Sequence, residues 1–164
     1  MDKSIYQLAE SLGMRLRSKG WQLALAESCT GGGIAHAVTD VPGSSVWFDR
    51  GFVTYSNVAK QDMLGVQSAT LERVGAVSRE TALEMAAGAL VHSRADLVLA
   101  VTGIAGPDGG TTEKPVGTVY IACQRRGHDG DCFKKQFSGD RQSVRRQVVV
   151  FCLQLAQEQV VMSS

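Results

Sequence analysis

The stretch "LALAESCTGGGIAHAV" contains the first side chains in the sequence that could do chemistry. Glu27 ends an apolar run, and Ser28, Cys29 and Thr30 follow before three glycines. Cys29 is intrinsically the better nucleophile, but a reactive thiolate needs a basic or cationic partner, and no His or Lys adjoins it. The same residues could cradle an anion through backbone N–H groups and hydroxyls, or form only a tight turn with a helix cap. The stretch by itself leaves these alternatives open.

A second stretch, "PGSSVWFDRGFVTYSNVAK", carries a denser set of candidates. Ser44 and Ser45 follow a turn, Tyr55 lies on the next extended segment, and Lys60 lies about one helical turn further on. Lys can activate Ser in place of His if burial or a neighbouring cation lowers the Lys pKa, and Tyr could orient the proton transfer. The alternative is that the serines cap a turn and Lys60 is a solvated helix lysine. Spacing alone favours that alternative.

Two further stretches could bind a ligand. In "VTGIAGPDGG", Thr102 precedes a loop with too many glycines and too little charge for an ordinary surface loop, which indicates close approach of backbone to a ligand. In "FSGDRQSVRR", Arg141 and Arg145 stand four residues apart on one face near the start of a helix, where cations gain nothing from the helix dipole. Anion binding and a solvated helix face explain the arginines about equally well.

Patterning predicts the elements that must hold these residues. The predicted helices cover 3–19, "GGGIAHAVTD", a short segment carrying Lys60, "RETALEMAAGALVHSR" after an N-cap at Ser78, and a long segment opened by Asp140. The predicted strands are "WQLALAE", "VWFDRGFVTYS" with a bend or bulge at Gly51, "ADLVLAVTG", and the hairpin "VGTVYIAC" and "DCFKKQFSG".

The order of these elements predicts an α/β fold. Helices and strands alternate and a hairpin follows, so we expect a single-domain α/β/α sandwich over residues 1–164, its mixed sheet covered by helices on both faces. Ligands in such sheets bind at the carboxyl ends of strands. The two glycine-rich motifs each follow a predicted buried strand and are therefore expected to face one cleft.

Composition excludes several classes of function. The 164 residues are 44% hydrophobic and carry a formal net charge of +1, which suits one core and gives little support for nucleic-acid binding. No N-terminal leader pattern or membrane-length apolar run is visible, so we expect a cytoplasmic protein with no membrane partner. We expect no cofactor. We also expect reduced thiols and no metal site, because the cysteines and histidines show no ligand spacing: Cys29, Cys123, Cys132, Cys152, His36, His92 and His128.

Five blocks in this order resemble the CinA C-terminal family in its stand-alone form: "AESCTGG", "GSSVWFDRGFVTYSNVAK", "VTGIAGPDGG", "EKPVGTVY" and "FSGDR". The resemblance runs from about residue 5 to 158. It implies a homo-oligomeric amidohydrolase that hydrolyses the amide of nicotinamide mononucleotide (NMN) to nicotinate mononucleotide and ammonia in pyridine-nucleotide salvage, without a metal. A nucleotide-phosphate-binding paralogue without catalysis is the alternative. A phosphotransferase would need an acidic metal cluster that the sequence lacks.

The resemblance also implies roles for individual residues. Ser45 would be the nucleophile, Lys60 its base and Tyr55 a helper, while "SCTGGG" would cradle the substrate phosphate or the developing oxyanion. Ser28 is the other candidate nucleophile. The residues expected around the substrate are Ser28, Thr30, Gly31, Gly32, Thr102, Gly103, Ala105, Gly106, Arg141 and Arg145.

Overall fold

A five-stranded mixed sheet forms the centre of the molecule. The structure is a computed structural model that describes residues 2–162. The strands lie in the order β2-β1-β3-β4-β5; the first three are mutually parallel, and β4 and β5 form an antiparallel hairpin beside β3. The strands are β1 (Leu23–Glu27), β2 (Phe48–Val53), β3 (Leu97–Gly103), β4 (Thr118–Arg125) and β5 (Asp131–Gln136).

Helices cover both faces of the sheet, so the predicted α/β/α architecture is confirmed. Helices α1, α2 and α6 pack on one face, and α5, flanked by α3 and α4, packs on the other. Within residues 2–162 the helices are α1 (Lys3–Lys19), α2 (Gly33–Thr39), α3 (Asn57–Leu64), α4 (Ser68–Val74), α5 (Arg79–Val91) and α6 (Arg141–Met162). No helix in these residues is both long and apolar enough to cross a membrane.

The side chains of β1 explain why this strand lies at the centre. All five of its residues are buried. Leu23 and Leu25 face the α1, α2 and α6 layer, whereas Ala24 and Ala26 face α5. Because successive side chains of a strand point to opposite faces, the Leu-Ala alternation gives one thick core and one thin core. The thin core lets α5 approach the sheet closely.

Two local features differ from the sequence prediction. Helix α4 was not predicted because its first residues lack a side-chain cap; instead Glu84 of α5 accepts hydrogen bonds from the Gln67 N–H (2.9 Å) and the Thr70 hydroxyl (2.6 Å). The predicted irregularity at Gly51 is wrong. The register of β1 and β2 shifts at Asp49, whose carboxylate accepts the Arg94 N–H at 2.9 Å.

Candidate active site

A cleft of about 280 Å³ opens beyond the carboxyl ends of β1, β2 and β3. Its walls come from the turn after β1, the start of α3, the turn between α4 and α5, the loop after β3, and the start of α6. The lining residues are Ser28, Cys29, Tyr55, Asn57, Lys60, Ala76, Val77, Thr102, Gly103, Ile104, Ala105, Gly106, Asp108, Gly109 and Arg141. The structure therefore brings both glycine-rich motifs to one cleft.

Lys60 is the buried cationic group of this cleft. The Ser56 hydroxyl caps α3 by accepting the Ala59 N–H, and this helix start directs Lys60 inward, where only 1% of the residue is exposed. Its Nζ donates to the Ser28 hydroxyl at 3.0 Å, and to the carbonyl oxygens of Thr54 at 2.9 Å and Tyr55 at 3.2 Å. All three of its protons therefore have an acceptor.

Burial makes the charged form of Lys60 less favourable than it is in water. Burial lowers the pKa of the Lys60 ammonium below its ordinary value, with a smaller opposing effect from Cys29. None of the ion pairs in the described residues includes Lys60, so no carboxylate restores the lost hydration of its charge. A buried amine beside a hydroxyl is the arrangement needed for a lysine to act as a general base.

Cys29 lines the cleft but lacks the surroundings of a reactive thiol. The residue is 5% exposed, and burial raises the pKa of its thiol to about 11. A thiol with such a pKa is protonated at neutral pH and is a weak nucleophile. The arrangement makes Ser28, and not Cys29, the candidate nucleophile of the turn.

Glu27 shapes the turn that carries Ser28, although sequence analysis predicted no functional role for it. Its carboxylate is 1% exposed and accepts the Thr30 hydroxyl at 2.6 Å and the N–H groups of Ile34 and Ala35 at 2.9 Å. The Thr30 hydroxyl therefore points toward Glu27 and not into the cleft. The signal was an acidic residue at the end of an otherwise apolar strand.

Gly31 and Gly32 form part of the turn between β1 and α2 and do not line the cleft. Both have positive φ, +59° and +94°, a region in which residues with a Cβ are disfavoured. A Cβ on Gly31 would also lie 3.3 Å from an Arg145 Nη2. These glycines let the chain turn directly from β1 into α2.

The loop after β3 forms the opposite wall. The Thr102 hydroxyl, at the end of β3, donates to the Ala76 carbonyl at 2.8 Å and ties this wall to the turn before α5. A Cβ on Gly103 would lie 2.7 Å from a methyl of Val119 and 2.9 Å from the Thr118 carbonyl oxygen, so close packing against β4 requires glycine there. Gly103, Ala105 and Gly106 then present mostly backbone to the cleft.

The two predicted arginines have different positions. Arg141 lines the cleft, where its Nη1 donates to the Gly106 carbonyl at 2.7 Å and its Nη2 to the Tyr55 hydroxyl at 2.9 Å. It therefore joins two walls and lies at the rim with Tyr55, which is 59% exposed. Arg145 is not among the lining residues.

The structure does not bring Ser45 to Lys60. Ser45 is exposed on a short 3₁₀ turn, Ser44–Val46, which precedes β2. The Leu23 N–H bonds the Trp47 carbonyl, so this turn lies beside the beginning of β1, whereas Ser28 follows its end. The five residues of β1 separate the two turns by roughly 16 Å, at about 3.3 Å per residue.

Sequence reasoning missed two further polar residues of the cleft, Asn57 and Asp108. Asn57 stands three residues before Lys60 on α3, and that spacing on a predicted helix could have placed both on one face. Asp108 lies within the glycine-rich loop. Across residues 2–160, no cluster of three or more His, Cys, Asp or Glu side chains could hold a metal ion.

Residues 5–160 match the CinA C-terminal domain, and the chain belongs to that family. The relatives include the nicotinamide-nucleotide amidohydrolases PncC of Enterobacter agglomerans, 55% identical with 94% of each chain covered, and of Escherichia coli strain K12, 48% identical with 99% of each covered. A crystal structure of the competence/damage-inducible protein CihA from Agrobacterium tumefaciens is 46% identical. It superposes with a TM-score of 0.93, covering 97% of this chain and 98% of that one.

Proposed function

We propose that this protein is an amidohydrolase that converts NMN to nicotinate mononucleotide and ammonia, with Ser28 as nucleophile and Lys60 as general base. The observation that carries the proposal is the 3.0 Å contact between Lys60 Nζ and Ser28 Oγ inside the cleft. The name of the similar PncC proteins, nicotinamide-nucleotide amidohydrolase, supplies the substrate class.

The proposed reaction proceeds in two balanced halves. Neutral Lys60 takes the hydroxyl proton as Ser28 Oγ bonds to the amide carbon, and the electron pair of the C=O bond moves to oxygen. When this oxyanion collapses, the C–N bond breaks and the leaving nitrogen takes the proton from Lys60 as ammonia departs. Water, deprotonated by Lys60, then attacks the ester carbon. The C–O bond to Ser28 breaks, Ser28 Oγ takes the proton from Lys60, and nicotinate mononucleotide leaves.

We assign the phosphate of NMN to the Arg141 side of the cleft. The Arg141 guanidinium has five N–H donors, and its two hydrogen bonds to protein leave donors available to a ligand. It is exposed at the rim, and the glycine-rich loop beside it offers backbone without bulky side chains. Tyr55, through its contact with Arg141, would orient this clamp.

The direct test is incubation of the purified protein with NMN, with and without a chelator, following ammonia, nicotinate mononucleotide and free phosphate separately. The proposal expects equal amounts of ammonia and nicotinate mononucleotide, no free phosphate, and no effect of the chelator. Binding of NMN without ammonia release would indicate a non-catalytic nucleotide-phosphate-binding protein. Release of phosphate would indicate phosphoryl-transfer chemistry and would overturn the proposal.

We propose that residues 1–164 act as one amidase domain in pyridine-nucleotide salvage, in the cytoplasm, and as a homo-oligomer. Fractionation of the cells that produce the protein tests the location. Sedimentation of the protein at several concentrations tests the oligomeric state.

A further inference from the structure

Arg145 contacts the carbonyl oxygens of the two residues that follow Ser28. Its Nε donates to the Cys29 carbonyl and its Nη2 to the Thr30 carbonyl, both at 3.2 Å. Gly31 makes room for this contact, because a Cβ at that position would lie 3.3 Å from the guanidinium. The arginine reaches the turn from α6 and is not among the residues that line the cleft.

Fixing a carbonyl also fixes the N–H of the same peptide. The peptide between Cys29 and Thr30 is trans, so its N–H points opposite to the carbonyl that Arg145 binds. Neither the Cys29 nor the Thr30 N–H donates to another residue in the described part of the chain. Buried backbone N–H groups are nearly always paired, so two unpaired ones directly after a nucleophile are available for a ligand.

The turn is held from its other side as well. The Ser28 N–H donates to the Val101 carbonyl at 3.1 Å, and the Gly31 N–H donates to the Ser28 carbonyl at 3.0 Å. The Thr30 hydroxyl donates a hydrogen bond to the buried Glu27 carboxylate. Without Arg145, the Cys29 carbonyl has no donor among the described residues, and the central peptide of the turn could rotate.

We propose that Arg145 is a positioning residue, which binds the Cys29 carbonyl and thereby orients the Thr30 N–H of the same peptide toward the oxyanion formed when Ser28 attacks the amide. This inference rests on the proposed function. It replaces the substrate contact that the sequence predicted for Arg145. A donor that is aligned before the reaction acts most strongly on the transition state, so the residue governs kcat and leaves ground-state binding nearly unchanged.

The test compares Arg145→Ala and Arg145→Lys with Arg146→Ala. Arg146 is the adjacent arginine of α6 and pairs with Asp2 at the surface, so its removal controls for loss of a helix arginine. We expect Arg145→Ala to lower kcat by about 10- to 100-fold while KM changes by less than about threefold. Arg145→Lys, which can bind one carbonyl at a time, should be intermediate, and guanidinium ion should restore part of the kcat of Arg145→Ala. Arg146→Ala should keep kcat within about twofold.

An NMN analogue with an aldehyde in place of the carboxamide gives a second readout. Ser28 would add to the aldehyde and form an oxyanion without a leaving group. The affinity of this analogue should fall in Arg145→Ala by about the factor lost in kcat/KM. The Kd of NMN should be nearly the same for Ser28→Ala and for the double variant Ser28→Ala with Arg145→Ala. If circular dichroism shows that Arg145→Ala does not fold, the same two affinities are compared in Arg145→Lys.

A rise in KM at unchanged kcat would overturn the inference and would indicate that Arg145 binds the substrate. Wild-type kcat in both Arg145 variants would overturn it as well. The proposed function fails by a different result, namely no ammonia from the wild-type protein or wild-type turnover in Ser28→Ala. The two failures are therefore distinguishable.

Discussion

The turn that carries Ser28 and the turn that carries Ser45 lie at opposite ends of the same pair of parallel strands. Ser28 follows β1, is 7% exposed and accepts a hydrogen bond from Lys60. Ser45 precedes β2 and is exposed to solvent. Ser45 is nearer to Lys60 in the sequence, yet the direction of the strands removes it from the cleft. In a parallel sheet, a residue reaches the site when it follows the carboxyl end of a strand. Its distance in the sequence from the other site residues matters less.

Replacing each serine by alanine should give the largest contrast. Ser28→Ala is expected to lower kcat by at least about 10³-fold, because the nucleophile is lost, while Ser45→Ala should keep kcat within about twofold. Steady-state ammonia release with NMN measures both, and each variant controls for the other. An inactive Ser45→Ala beside an active Ser28→Ala would exchange their roles.

Lys60→Arg should fail as badly as Lys60→Ala. Guanidinium keeps the charge but cannot accept the serine proton, so both variants should lose about 10²–10⁴-fold in kcat. If Lys60→Arg instead keeps near-native turnover, Lys60 is an electrostatic clamp and another group deprotonates the nucleophile.

The pH dependence of the wild-type protein tests the same lysine. The base must be neutral, so kcat/KM should rise with pH and level off above the pKa of Lys60. Burial lowers that pKa, and the midpoint should therefore lie below the value of about 10.4 of a free lysine. A midpoint at or above that value would contradict the desolvated base that Ser28 requires.

Arg141→Ala should have a smaller effect, on binding more than on turnover. A phosphate clamp contributes alike to the ground state and the transition state, so we expect KM for NMN to rise about tenfold and kcat to change by less than about threefold. Steady-state kinetics with NMN gives both constants, and the factor by which KM rises should exceed the factor by which kcat falls. An unchanged KM would remove Arg141 from the substrate site.

The smallest effect on activity is expected at Cys29. Cys29→Ala and Cys29→Ser should retain most of the wild-type kcat, because a buried thiol with a pKa of about 11 takes no part in the reaction. Cys29→Ala should lower the free energy of unfolding by about 1 kcal/mol through lost packing, measured by thermal unfolding. If Cys29→Ala loses turnover while its circular dichroism stays native, Cys29 is the nucleophile.

Patterning predicted the fold well because the elements carry strong local signals. The apolar run of β1 and the Ser78 cap of α5 each agree with the structure. Helix α4 escaped prediction because its cap comes from Glu84 of another helix, a tertiary contact that no local pattern contains. The bulge at Asp49 also depends on a distant partner, the Arg94 N–H.

The cleft was predictable only in part. Two glycine-rich motifs after buried strands indicated a shared site, and the structure places them together. The pairing of Lys60 with Ser28 could not be read from the sequence, because the two residues are 32 positions apart and β2 and the turn into α3 lie between them. The same limit applies to Arg145: its four-residue spacing from Arg141 suggested one ligand for both, but on the folded chain the two guanidinium groups reach different loops.

The Glu27 carboxylate has a consequence for local motion, since it accepts amide protons from Ile34 and Ala35 while ending β1. The first turn of α2 cannot fray without leaving a buried charge unsolvated, so strand, turn and helix start should open as one cooperative unit. Hydrogen–deuterium exchange should find these two amides as protected as those of the central strand, although α2 has only seven residues. Ser28, whose own N–H donates to the Val101 carbonyl, would then lie between two slowly exchanging segments, a rigidity supplied by the fold before any substrate arrives.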